Sequence, residues 1–140
     1  MLIGEFNYAI DPKGRLNFPA KFRDEMGDSF VVTRWLDGCL VAFPKNAWDK
    51  VFTTLSQAGL ADAYKLRRML LASAAEVTPD KQGRILIPPS LRRHAGLEKD
   101  VTIVGTDPYV EIWDTDRWNQ TLEADMDSAA VAAAMQAMKL

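Results

Sequence analysis

Two short stretches of this sequence carry the same chemistry-bearing residues in the same order. Asp11-Pro12-Lys13-Gly14-Arg15 and Asp80-Lys81-Gln82-Gly83-Arg84 both read Asp-x-x-Gly-Arg. An aspartate in that position accepts backbone N–H groups within a turn. Glycine supplies the positive φ that a tight reversal demands. An arginine leaving such a turn presents a planar fork able to address phosphate, or the edge of a guanine, through two hydrogen bonds. Asp11, Gly14, Asp80 and Gly83 are therefore read as turn-forming residues, and Arg15 and Arg84 as the groups that contact a polyanion. Lys13 and Lys81, near the turn tips, add a less directional attraction to phosphate. A purely structural alternative has Asp11 serving only the turn and Arg15 pairing back onto it. A mixed role, in which Asp fixes the turn and Arg projects from it, accommodates both.

The motifs belong to a longer internal repeat. Asp11–Arg23 aligns with Asp80–Arg92 without a gap, at an offset of 69 residues. The match resumes with Phe30-Val31-Val32-Thr33 against Val101-Thr102-Ile103-Val104, and again with Phe43–Trp48 against Trp113–Trp118. Such self-similarity decides the fold before any local propensity does. Each unit reads as a strand (near Phe6–Ile10 or Ala75–Thr78), the glycine turn, and a second strand (Arg15–Phe18 or Arg84–Ile87) completing a hairpin. A short helix then enters at Pro19 or Pro88 and stops at Gly27 or Gly96. Two more strands follow, turning near Asp37-Gly38 or Asp107-Pro108, and a helix enters at Pro44 or near Asp114–Thr115. The expected division is a first repeat over 1–57, a linking helix over 58–72, a second repeat over 73–120 and a C-terminal tail, helical, over 121–140. Neither repeat alone is large enough to enclose a good core. The two are expected to pack about a pseudo-two-fold axis, as a fused dimer would. Leu66, Met69 and Leu70 form a stripe on the linking helix that reads as core.

Charge is unevenly placed. The whole chain carries 17 Lys and Arg against 19 Asp and Glu, a net charge of −2. Yet Asp11–Arg23 holds Lys13, Arg15, Lys21 and Arg23 against one acid, and Asp80–Arg93 holds Lys81, Arg84, Arg92 and Arg93 against one acid. From Asp107 to Asp127 there are seven acids and a single arginine, Arg117. Two basic segments at equivalent repeat positions would form a matched pair on one side, an arrangement suited to a nucleic-acid backbone. Arg23, Arg92 and Arg93, at helix ends, are equally readable as solvated charges near a negative dipole terminus.

The paired Asp-x-x-Gly-Arg elements with their Pro and Leu/Phe-x-Arg continuations resemble the MraZ family of bacterial transcriptional regulators, within the SpoVT-AbrB superfamily of swapped-hairpin barrels. Phe6-Asn7-Tyr8-Ala9-Ile10-Asp11 and Asp80–Pro88 are especially similar to that family. The resemblance covers nearly residues 1 to 120. It implies a mixed α+β, mainly β fold: two tandem half-barrels packed as a pseudo-dimeric β-barrel with short flanking helices. It further implies ring-like homo-oligomers, binding of short direct repeats in promoter DNA, and regulation, usually repression, of the division and cell-wall gene cluster. The first motif departs from the pattern at Pro12, and Lys21 faces Ser90 in the other copy. The Ala- and Met-rich tail from Ser128 to Leu140 is not covered.

Other classes fit less well. No Gly-x-Gly-x-x-Gly or P-loop pattern is present. The single histidine, His94, follows two arginines and suits a surface or cap position. The single cysteine, Cys39, lies in an apolar strand, reads as a small core residue and excludes an internal disulfide framework. No catalytic residues, metal ligands, cofactor or small-molecule substrate are expected. No apolar run approaches the roughly 20 residues of a membrane span. Met1–Phe6 lack the features of a secretory leader, so a cytoplasmic, nucleoid-associated protein is expected. The remaining rival is an assembly or antitoxin-like interaction module that binds no DNA, with Trp35, Trp48, Trp113 and Trp118 as possible anchors. Trp48 and Trp118, being repeat-equivalent, are instead expected in the intra-chain core.

Overall fold

The structure is a computed structural model describing all 140 residues. Its strands are β1 (Ile3–Ala9), β2 (Arg15–Asn17), β3 (Phe30–Arg34), β4 (Leu40–Pro44), β5 (Ala75–Val77), β6 (Arg84–Leu86), β7 (Asp100–Thr106) and β8 (Val110–Asp114). The helices are α1 (Arg23–Met26), α2 (Lys45–Gln57), α3 (Leu60–Leu71), α4 (Pro89–Ala95), α5 (Thr115–Asp125) and α6 (Ser128–Ala137). The fold is mixed α+β.

Alternation at period two builds the sheet. In β3, β4, β7 and β8, Phe30, Val32, Leu40, Ala42, Val101, Ile103, Val110 and Ile112 point into the main core. The residues between them, among them Val31, Thr33, Val41 and Val104, are buried on the opposite face. Both faces are thus covered, and the apolar runs read as nearly continuous.

The repeats exchange strands. Six strands form one antiparallel sheet in the order β1-β7-β8-β4-β3-β5, and β2 pairs with β6 in a separate two-stranded ribbon. Strand β1 of the first repeat therefore ladders on β7 of the second, and β5 of the second on β3 of the first. The expected hairpins close only at their turns: Asp11 N–H donates to the Arg15 carbonyl at 3.0 Å, and Asp80 N–H to the Arg84 carbonyl at 2.8 Å. Beyond the turn the strands part, because β1 is already paired along its whole length with β7. Leu16 meets its own repeat counterpart, Ile85, in the centre of the ribbon. Val41 meets Glu111 at the equivalent point of the sheet. These two pairings mark the pseudo-two-fold axis. The ladders do not join into one continuous closed barrel; the ribbon is a second layer over the core face of the sheet.

Several expectations shift in detail. Pro19 and Pro88 stand just outside their helices, at the cap, with φ of −57° and −59°. The glycine stops are as expected, Gly27 and Gly96 both having positive φ. Helix α3 buries only Ala63 and Leu70, which tether it to β3 through a 2.6 Å bond from Thr33 Oγ1 to the Leu70 carbonyl. Leu66 faces solvent, so the stripe is narrower than its spacing suggested. Trp48 and Trp118 are half-buried rather than central. Their helices lie on the outer sheet face, and each indole packs on a strand aromatic, Phe43 or Trp113. Cys39 is buried, its thiol donating to the Leu36 carbonyl at 3.3 Å, and burial pushes its pKa up. No helix is long and apolar enough to cross a membrane.

Interleaved strands make the two repeats one cooperative unit. Leu16 is fully buried, and Leu16→Ala is expected to cost about 2–5 kcal/mol of stability through lost burial and a residual cavity. Urea denaturation followed by tryptophan fluorescence and by far-UV circular dichroism should give coincident single transitions for both proteins. Separate transitions for the two halves would contradict the exchange.

Candidate nucleic-acid interface

Each Asp-x-x-Gly-Arg turn is organised by its carboxylate. Asp11 Oδ1 accepts the backbone N–H groups of Lys13 and Arg15, both at 2.9 Å, and Oδ2 accepts Arg15 Nε at 2.6 Å. The second turn repeats this: Asp80 Oδ1 accepts from Gln82 and Arg84 N–H at 2.9 and 3.0 Å, and Oδ2 from Arg84 Nε at 3.1 Å. The turns close with Gly14 N–H donating to the Asp11 carbonyl and Gly83 N–H to the Asp80 carbonyl, each at 2.9 Å. Glycine is required at both, φ being +88° and +78°. The backbone N–H of Arg15, aided by its side chain, holds the Asp11 carboxyl below its usual range; the Arg84 N–H does the same for Asp80.

The structural and functional readings of Arg15 and Arg84 therefore coexist. Pairing uses Nε and leaves the two terminal Nη groups of each guanidinium without a protein acceptor. Those are the groups that make a parallel two-bond contact with guanine or phosphate. The side chains remain 40% and 32% exposed. With Leu16 and Ile85 turned into the core, period two directs Arg15, Asn17, Arg84 and Leu86 to the outer face of the ribbon. The register seats Arg15 opposite Leu86 and Asn17 opposite Arg84. Lys13 and Lys81 stand exposed at the turn tips.

The terminal arginines of the two motifs cross between repeats. The Arg92 guanidinium packs over Gly14, 3.0 Å from where a Cβ would stand, and Arg92 Nη1 donates to the Pro12 carbonyl at 3.4 Å. Arg92 Nε is buried without a partner. Arg23 fills the Cβ space of Gly83 but is exposed. These two are braces as well as cations. Lys21 is exposed in the single turn (Ala20–Phe22) after the ribbon. Arg93 lies on the open side of α4, in a shallow depression with Arg34, Met69, Ser90 and His94. His94 is half-buried, Nε2 lying 3.3 Å from the Trp35 carbonyl oxygen. Asn17 and Leu86 were not singled out by sequence reasoning; alternation from Leu16 and Ile85 was the signal that places them. No cluster of three or more His, Cys, Asp or Glu side chains is arranged to hold a metal ion.

A two-stranded ribbon with paired outward guanidiniums is a shape the major groove admits, and comparison with known proteins points the same way. The family described as "MraZ protein, putative antitoxin-like" matches twice, over residues 1–68 and 70–139. The chain belongs to the MraZ family. A relative from Lachnoclostridium phytofermentans, named transcriptional regulator MraZ, is 47% identical over 131 residues, covering 93% of each chain. Relatives of the same name from Heliobacterium modesticaldum and Clostridium beijerinckii are 48% and 42% identical, covering 86% and 96% of this chain and 85% and 96% of theirs. These MraZ relatives are named as regulators and not as enzymes. The second match, to residue 139, takes in α6, and the first, to residue 68, takes in most of α3.

Two outcomes follow from the turn geometry. Gly14→Ala and Gly83→Ala share a backbone penalty of about 1 kcal/mol or more at positive φ. At Gly14 the new Cβ also meets the Ile87 carbonyl oxygen at 2.7 Å, whereas at Gly83 it meets only the flexible end of Arg23. Denaturant titration should therefore show Gly14→Ala the more destabilised; equal losses would contradict the packing. The second outcome concerns acid. Because both aspartates have a lowered pKa when folded, their stabilisation is complete above the unfolded value of about 3.9 and fades as pH falls through the folded one. An Asp11→Asn/Asp80→Asn variant should lose less thermal stability than the parent on acidification through that window. Parallel pH profiles would show that the turns carry no such linkage.

Proposed function

We propose that this chain is a sequence-specific DNA-binding regulator whose reading surface is the outer face of the β2–β6 ribbon. The observation that carries this is the pair of guanidiniums, each oriented by its own aspartate through Nε with its Nη groups free, on one ribbon facing solvent. The major groove, about 12 Å wide, accepts such a ribbon. Arg15 and Arg84 would contact guanine edges or phosphates, and Lys13, Lys81, Lys21, Arg23, Arg92 and Arg93 would supply attraction to the backbone. The names of the relatives support a regulatory role.

The finer reading is repression of the division and cell-wall gene cluster through short repeated promoter sites, in the cytoplasm and at the nucleoid, without a cofactor. Self-association into a ring would engage successive sites and raise affinity by effective concentration. The exposure of α6, with Val131 and Met135 open to solvent, favours such association.

The test is a promoter-shift titration across salt with oligomer size measured in parallel. Log affinity should fall linearly with log salt, by about 0.9 for each phosphate neutralised. Arg15→Ala/Arg84→Ala should abolish the shift while oligomer size stays unchanged. Retained binding by the double variant at moderate salt would contradict the role given to these arginines, whereas a parent that shifts no promoter DNA at any salt would favour the rival module that binds no DNA.

A further inference from the structure

The ribbon is nearly two-fold symmetric, and its outer face departs from symmetry at one place. Arg15 and Arg84 are repeat counterparts and identical; Asn17 and Leu86 are counterparts and chemically opposite. Both are exposed, Leu86 at 59% of its surface. The Asn17 amide makes no hydrogen bond within the protein, and neither side chain belongs to a core. Folding therefore explains neither the amide at 17 nor the leucine at 86. Each lies directly across the ribbon from the other repeat's reading arginine: Asn17 from Arg84, Leu86 from Arg15.

We propose that Asn17 and Leu86 are specificity-determining residues that give the ribbon a direction, so that the chain lies on its DNA site in one orientation. The inference rests on the DNA-binding reading above. An asparagine amide matches the N7 acceptor and N6 donor of adenine, while an apolar side chain contacts the methyl group of thymine and offers nothing to a cytosine amine. A ribbon carrying two arginines and two identical neighbours would meet a site and its reverse complement equally, and would select a dyad. With Asn on one side and Leu on the other, the two flanks of the arginine-contacted bases differ. The differences in charge between the basic segments, Pro12 against Lys81, Lys13 against Gln82, Lys21 against Ser90 and Asp24 against Arg93, lie outside the two ribbon strands, where charge positions the protein without reading sequence.

The positions are exposed, so variants at them should fold. The full-length parent, N17L, L86N and the exchanged N17L/L86N protein would each be used to select bound duplexes from a randomised pool, with R15A/R84A as a control. The parent should select an asymmetric motif. N17L and L86N should each select a motif with equivalent flanks, changing base preference at one flank by about 5- to 100-fold. The exchanged protein should recover an asymmetric motif, a rescue that general damage could not produce. If all four select the same motif while R15A/R84A selects none, the DNA-binding reading stands and this inference fails. If the parent itself selects no motif, both fail.

Discussion

The structure depends on one pairing, that of Leu16 with Ile85 across the pseudo-two-fold axis. Each strand of the ribbon is only three residues long, too short to persist alone. It is held because its partner is the same strand of the other repeat. The ribbon is extended by two further reciprocal bonds, from Phe18 N–H to the Gly83 carbonyl at 2.9 Å and from Ile87 N–H to the Gly14 carbonyl at 2.8 Å. Through these bonds, and through Arg92 over Gly14 and Arg23 over Gly83, each turn is completed by residues of the other copy. Neither half of the ribbon's outer face exists without its counterpart.

The electrostatic design follows from how each turn divides the work of one arginine. A carboxylate beside a guanidinium would ordinarily cancel the charge offered to a polyanion. Here the carboxylate occupies Nε and two backbone N–H groups, fixing the direction of the side chain and leaving its terminal face free. Orientation is gained in advance of binding, which lowers the ordering cost when a ligand is met. The largest concentration of acid lies elsewhere, seven of the chain's 19 acids falling between Asp107 and Asp127. Two of them have structural duties: Asp114 and Asp127 cap α5 and α6 by accepting backbone N–H groups.

Much of this was legible in the residues. The offset of 69 between the two motifs revealed the duplication, and the glycines marked the turns. What the local pattern could not convey was the choice of partner. A strand, a glycine turn and a second strand read as a hairpin, yet β1 and β2 are each taken by the other repeat, because long-range pairing buries more than local closure. The bracing role of Arg92 was hidden for the same reason, since Gly14 and Pro12 are distant in sequence. Leu66 misled because helical spacing identifies a stripe but not how much of it is covered. Asn17 and Leu86 escaped notice because their meaning appears only once β2 is laid beside β6.

In the proposed function DNA meets the outer face of the ribbon and the cations beside it, Lys21, Arg23, Arg92 and Arg93, and not the outer helices α2, α3 and α6. Hydrogen exchange of the full-length protein, with and without a bound promoter duplex and read by mass spectrometry at peptide resolution, tests it most directly. The account predicts slowed exchange in peptides spanning residues 11–17 and 80–86, with α2, α3 and α6 unchanged when oligomer size is held constant. Protection concentrated on α3 or α6, with both turns exchanging as freely as in the unbound protein, would contradict it.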